Sequence, residues 1–268
     1  MNDNQPDWGA IAEKFDVWLP QIAPVGDAML YALGARPGER ILDVACGTGE
    51  PALTLARQNP AVEIVCSDAA APMVAVARHK AEGLANIRFE TMAAEALDFP
   101  DACFDAAMSR FGVMLFADPL QGLREMYRVL KPGGRLVVAV WSTPETMPTL
   151  QWSFQAFAGK VPAEAVPPLA KVTCLGEPGL LEDLLQQAGF SGLRVEAREF
   201  HYQFPSFDAY WDTMEASDIL KQQYEHLAPE ARATIRDEIA LFAREFQGEN
   251  GLRVPHGYLL ATARKASG

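Results

Sequence analysis

The stretch from Arg40 to Glu50, RILDVACGTGE, sets one acid among apolar residues and follows it with Ala45-Cys46-Gly47-Thr48-Gly49. Ile41, Leu42 and Val44 read as a buried parallel strand and the glycines as a turn. Pro51 and the Ala/Leu run after it read as a helix start, where proline's missing N–H costs nothing. Glycines let a backbone approach a ligand closely, and the free N–H groups of a helix start point toward it. That chemistry suits a nucleotide-like ligand. A charge on Asp43 inside an apolar strand is costly unless it has a partner, so a binding or turn-organising role follows. Asp68 ends the next apolar run, EIVCSD, at the distance expected of an acid that takes ribose hydroxyls. A carboxylate can accept two such donors at once. On spacing alone, Gly47-x-Gly49-x-x-Ala52 also fits dinucleotide binding by a nicotinamide-dependent oxidoreductase.

Other chemistry-bearing residues are sparse. His201 falls near the end of one late strand and His256 near the start of the last, and histidine is the natural base near neutral pH, although a hydrogen-bonded structural histidine fits each as well. His79 and His226 read as surface residues. Arg110 suits a substrate carboxylate or a lid acid. The cysteines stand at 46, 66, 103 and 174 without a CxxC pair, which gives neither zinc spacing nor a disulfide framework, and no metal site is expected. Cys46, at a helix start, has a position that can lower a thiol pKa, although a small spectator residue fits as well.

The elements that must position these groups follow from periodicity. Strands are expected at 40–45, 63–68, 87–92, 105–110 and 135–141, with helices at 50–58, 72–83 and 118–130, and Lys131-Pro132-Gly133-Gly134 stopping the last helix. Continuously apolar strands alternating with helices indicate a parallel sheet covered on both faces. Upstream, Trp8, Ile11, Phe15, Trp18 and Ile22 share a helical face that Pro20 and Pro24 should split into two short helices. Residues 142–175 read as irregular. A helix over 179–188, a strand over 192–204, amphipathic helices over 206–249 and a closing strand over 252–264 complete the chain. The organisation expected is an N-terminal flap (1–35), a core (36–141), an irregular lid insertion (142–175), core completion (176–204 and 251–268) and a helical lid insertion (206–250).

The 268 residues are 49% hydrophobic and carry a net charge of −12. That balance disfavours nucleic-acid backbones and anionic membranes as partners. The start, MNDNQPDWGA, lacks a basic region followed by an apolar run, and no apolar stretch approaches ~18 residues, so a reduced, cytoplasmic protein is expected.

Over residues 36–141 the chain resembles the class I S-adenosylmethionine (SAM) dependent methyltransferases. Asp43, Ala45, Gly47 and Gly49 occupy the first motif, with Ala45 in place of the commoner first glycine. AEALDFPDACFD, SRFGVMLFADP and REMYRVLKPGGRLVVAVW resemble the later motifs of the ubiquinone/menaquinone type. The resemblance implies an α/β, Rossmann-like seven-stranded sheet, strand seven antiparallel between five and six, flanked by helices and with a mostly helical lid. It implies SAM as cofactor and S-adenosylhomocysteine as product. Asp43 would hold the amino-acid end of SAM, Ala45, Cys46 and Gly47 its methionine part, and Asp68 the ribose. Ala69 and Met73 would line the adenine, Ala94 and Glu95 its other edge, and Ser109 the sulfonium. Ala93 stands where relatives often carry Asp, and Phe15 where many carry Tyr. Phe15, Trp18, Arg110, Trp141 and Trp211 are expected around an apolar pocket for a lipophilic or aromatic small-molecule acceptor, methylated at O or C. A SAM-binding protein without methyl transfer, cyclase-like or non-enzymatic, is the alternative.

Overall fold

The computed structural model describes residues 7–160, 172–217, 225 and 227–267. Eight strands form one mixed sheet in the order β3-β2-β1-β4-β5-β8-β6, and the two-residue β7 pairs only with β8. β1 (Arg40–Val44), β2 (Glu63–Asp68), β3 (Ile87–Thr91), β4 (Phe104–Arg110) and β5 (Leu130–Trp141) are mutually parallel. β8 (Gly251–Arg264) runs antiparallel between β5 and β6 (Ser191–Phe204). Apart from the short β7 (Gln247–Gly248), this is the expected seven-stranded arrangement. The central strands are apolar runs because both of their faces are covered: Ile41, Leu42, Ile64, Ala107, Met108 and Val138 are all at 0% exposure.

Three elements differ from expectation. A 3₁₀ turn at Phe15–Trp18 leads into one continuous helix, α1 (Leu19–Leu33). Pro20 occupies its first turn, where no N–H is needed, and Pro24 lies inside the helix, where it forgoes the hydrogen bond to the Pro20 carbonyl without ending the helix. Lys131-Pro132-Gly133-Gly134 does not separate helix from strand. It loops out within β5, between the pairs Phe104↔Leu130 and Ala106↔Arg135, with Gly133 at φ +76°. Gly133 N–H donates to the Lys265 carbonyl at 3.0 Å and Lys265 N–H to the Gly134 carbonyl at 2.9 Å, which ties the bulge to the end of β8. Within 142–175, Pro148–Phe157 is helical (α5) rather than irregular.

The remaining described helices are α2 (Ala52–Gln58), α3 (Ala71–Lys80), α4 (Pro119–Val129), α6 (Leu180–Gln187), α7 (Phe207–Ala216) and α8 (Pro229–Ala243). α4 begins on a capping aspartate, Asp118, whose carboxylate accepts Gln121 N–H at 3.0 Å. α5 meets α7 and the 3₁₀ turn that follows α8 (Arg244–Phe246) through aromatic contacts, with Trp152 6.0 Å from Tyr210 and 5.5 Å from Phe246 between ring centroids. No helix among the described residues is long and apolar enough to cross a membrane. His226 lies outside the described residues.

Candidate active site

A cavity of about 540 Å³ opens beyond the carboxyl ends of β1 to β5, walled by the first turn of the chain after each strand, by the N-terminal segment and by α5, α7 and β8. Ligands of open α/β sheets bind at this edge.

One end is polar. β1 runs straight into Ala45, at φ +58°, and Gly47, at φ +54°. A Cβ built on Gly47 meets nothing within 4 Å, so its backbone faces open cavity. Gly47 N–H donates to Asp68 Oδ2 at 2.8 Å and Ala70 N–H donates to Oδ1 at 2.9 Å. Each oxygen thus keeps a lone pair for one further donor. Burial raises the Asp68 pKa, and the two backbone donors oppose the rise. Ala69, Met73, Ala94 and Glu95 line the same end. Glu95 is partly committed, since its Oε1 accepts Ala117 N–H at 2.7 Å and Asp118 N–H at 3.2 Å.

Beneath the turn Asp43 is buried, and neither carboxylate oxygen has a hydrogen-bond partner among the described residues. Burial holds its pKa well above the ordinary carboxylate range, opposed by the field of Arg110. Arg110 lines the cavity, donates from Nη2 to the Glu50 carbonyl at 2.8 Å, and is lowered by enclosure to about 10, so it stays cationic at neutral pH. It belongs to this polar end and, among the described residues, meets no lid acid. Gly49, at φ +102°, packs on Leu53 without lining the cavity, and Ser109 is fully buried below Gly112. Cys46 lines the cavity, but its contact with Cys66 and its burial push the thiol pKa well up, so it is not an activated thiol. Among the described residues no cluster of three or more His, Cys, Asp or Glu is placed to hold a metal ion.

The other end is aromatic. Trp18, Tyr202, Tyr210 and His256 wall it, with Trp141 stacked on Phe111 at 3.7 Å nearer the sheet. His256 is buried, and its Nδ1 lies 3.3 Å from the Val254 carbonyl, which can only accept. The ring proton therefore sits on Nδ1, and Nε2 accepts the Thr149 hydroxyl at 2.7 Å. Burial lowers its pKa to about 4. A neutral ring with its lone pair committed is a poor free base, and of the two readings open for this residue its bonds fit a hydrogen-bonded structural histidine.

His201 is not on the cavity wall. Alternation along β6 turns Phe200, Tyr202 and Phe204 inward and His201 outward, where it meets Glu199 at 3.5 Å and Arg253 at 3.1 Å. Trp211 also fails to line the cavity: it is buried beside Phe207, 6.3 Å away, while its neighbours Tyr210 and Met214 reach the wall. Thr149, Tyr202 and Tyr210 were not singled out by the sequence, because each lies in a lid or late strand where only the observed face selects it.

The N-terminal segment closes the polar end. Ile11 and Ala12 pack with Met73, and Trp8 and Phe15 border that cluster. Asp16 fastens the segment, accepting the Thr48 hydroxyl at 2.5 Å and pairing with Lys80 at 2.7 Å.

The ubiE/COQ5 methyltransferase family profile matches residues 26–172, more than half of the chain, and the chain belongs to that family. It is 50% identical over 119 residues to a demethylmenaquinone methyltransferase of Thermus thermophilus, covering 44% of this chain and 53% of that protein. The chain spans about half the length of the curated relatives it matches. The YcgJ protein of Bacillus subtilis shares its fold, with a TM-score of 0.62 and 22% identity over 92% of this chain and all of that one (100%). The [4+2]-cyclase SpnF does so with a TM-score of 0.58 and 25% identity over 94% of this chain and 83% of that one.

Proposed function

We propose that the protein is a SAM-dependent methyltransferase acting on a lipophilic aromatic small molecule of the quinol type, at carbon or oxygen. The observation that carries this is a pair of acids about a glycine turn, half-buried Asp68 on the polar wall of an otherwise apolar cavity and Asp43 buried beneath the turn, behind that wall. The family's cofactor fits them. Asp68 has two lone pairs left for two ribose hydroxyls. The unpartnered Asp43 carboxyl and the neighbouring Arg110 guanidinium match an ammonium and a carboxylate on one carbon. Met73, Ala69 and Ala94 supply an apolar slot for a base. A nicotinamide-dependent oxidoreductase is the reading the family match disfavours.

The bound cofactor supplies an electrophilic methyl group on a sulfonium. The protein's part is to align an acceptor with it and exclude water. Phe15 and Trp8 cover the polar end, and α5 and α7 cover the aromatic end. Thr149, its proton committed to His256, presents oxygen lone pairs that can accept an O–H of the acceptor, and His256 fixes their direction. A quinone-type acceptor is supported by what the Thermus relative is named for. A cytoplasmic setting without nucleic-acid partners is supported by the acidic composition and free cysteines.

The test is mass analysis of hydroquinone and naphthol acceptors incubated with protein and SAM carrying a deuterated methyl. Transfer of the label to a ring carbon or oxygen is expected. Tight S-adenosylhomocysteine binding without any transfer across the panel would instead favour the reading without methyl transfer.

A further inference from the structure

Two hydrogen-bond donors at the aromatic end are buried and unpartnered among the described residues: the Tyr210 hydroxyl and the Trp18 indole N–H. Tyr210 is at 0% exposure and Trp18 at 8%, and both line the cavity. They belong to one continuous aromatic cluster, Trp18 lying 6.4 Å from Phe204 and Phe204 lying 5.4 Å from Tyr210 between centroids. Burial pushes the Tyr210 hydroxyl well above the ordinary tyrosine range, so it keeps its proton and can donate. An indole N–H can do nothing else. A buried donor without an acceptor is costly, and a site built to bond an oxygen rejects an analogue that lacks it. Arg110, the cation on the described cavity wall, is drawn to Asp43 and Glu50 at the opposite end. Among the described residues, nothing at the aromatic end offers a countercharge to an anionic acceptor.

Resting on the function proposed above, we infer that Tyr210 and Trp18 are the specificity-determining residues for the acceptor, holding oxygen atoms of an uncharged aromatic ring system. Both lie outside residues 26–172, as do Tyr202 and His256. The acceptor end therefore includes parts of the chain that the family match does not reach.

The experiment titrates the full-length protein calorimetrically, without oxygen, against 1,4-dihydroxynaphthalene and naphthalene, with and without saturating S-adenosylhomocysteine. The wild type should prefer the dihydroxy compound by about tenfold or more. Tyr210→Phe and Trp18→Phe should each narrow that preference about five- to tenfold, read as the ratio of the two affinities within each variant, while leaving S-adenosylhomocysteine affinity unchanged. An equal affinity of the wild type for both compounds overturns the inference. So does an undiminished preference in both variants when they still bind S-adenosylhomocysteine. If the wild type fails to bind S-adenosylhomocysteine, the cofactor reading falls, and the titrations without it still decide the role of the two donors.

Discussion

A carboxyl walled into an apolar strand keeps its proton until something repays ionisation, and Asp43 is in that position. A ligand ammonium beside it favours the ionised form and lowers its pKa, so binding should expel a proton at pH values between the lowered pKa of the complex and the raised pKa of the free protein. S-adenosylhomocysteine affinity should therefore rise with pH through that range and flatten above it. Calorimetry in two buffers of different ionisation enthalpy measures the release; it should vanish in Asp43→Asn, and persistence there would assign it elsewhere. Asp68 calls for a different expectation. It is already hydrogen-bonded to Gly47 and Ala70, so Asp68→Ala removes the ribose acceptor and loosens the turn together. The expected loss in affinity is about 1–3 kcal/mol, read from the same titration. Ala45 carries a cost of another kind. At φ +58° its Cβ is crowded by its own backbone, roughly 1–2 kcal/mol that glycine avoids, partly offset by glycine's greater freedom when unfolded. Ala45→Gly should raise the thermal midpoint slightly.

At the scale of elements, the N-terminal segment and the glycine turn are joined by one side chain, Asp16, bridging Thr48 and Lys80. Such a partly exposed pair adds little to global stability, on the order of 1 kcal/mol or less. Asp16→Ala should leave the melting temperature nearly unchanged and speed S-adenosylhomocysteine release several-fold in stopped-flow experiments; an unchanged release rate would mean the segment does not cover the ligand. What the sequence revealed of these elements tracks how much local pattern they carry. β1, β2 and β4 are largely apolar runs that end at the cavity edge, so the strands and the candidate residues Asp43, Gly47 and Asp68 could be read together. Pro20 of α1 misled because a proline's cost depends on its distance from the helix start, which only the observed boundary fixes, and Pro24 because the helix continues through it. The lid residues were out of reach for a sharper reason. A one-residue step separates Tyr202 from His201 on β6 and Tyr210 from Trp211 on α7, and which of each pair faces the ligand is decided by packing against distant segments.

For the whole molecule, the cavity divides the chain into parts with separate duties. The glycine turn, Asp68 and Arg110 lie within the family-matched residues, whereas Trp18, Tyr202, Tyr210 and His256 come from before and after them. Ligand-linked stability should show the same division. S-adenosylhomocysteine at 100 times its dissociation constant adds about 2.7 kcal/mol, roughly a 5–10 °C rise in midpoint for a chain of this size. The cavity meets the fold along one sheet edge, so the gain should not be spread evenly. Hydrogen exchange should slow most in residues 7–18, which pack over Met73, and in 44–50, whose backbone meets the cavity. The first half of β6, where 191–199 are exposed or half-buried at the far side of the sheet, should change little. His256→Ala then provides the complementary measurement. It frees the Thr149 hydroxyl and opens space at the aromatic end, so acceptor KM should rise while S-adenosylhomocysteine affinity and the protection of 44–50 stay as they were. Because His256 is held neutral at pH values well above about 4, the pH profile of kcat should not lose a limb near 6 to 7 on its removal. Loss of such a limb would restore His256 as a base and displace the positioning role argued from its bond to Thr149.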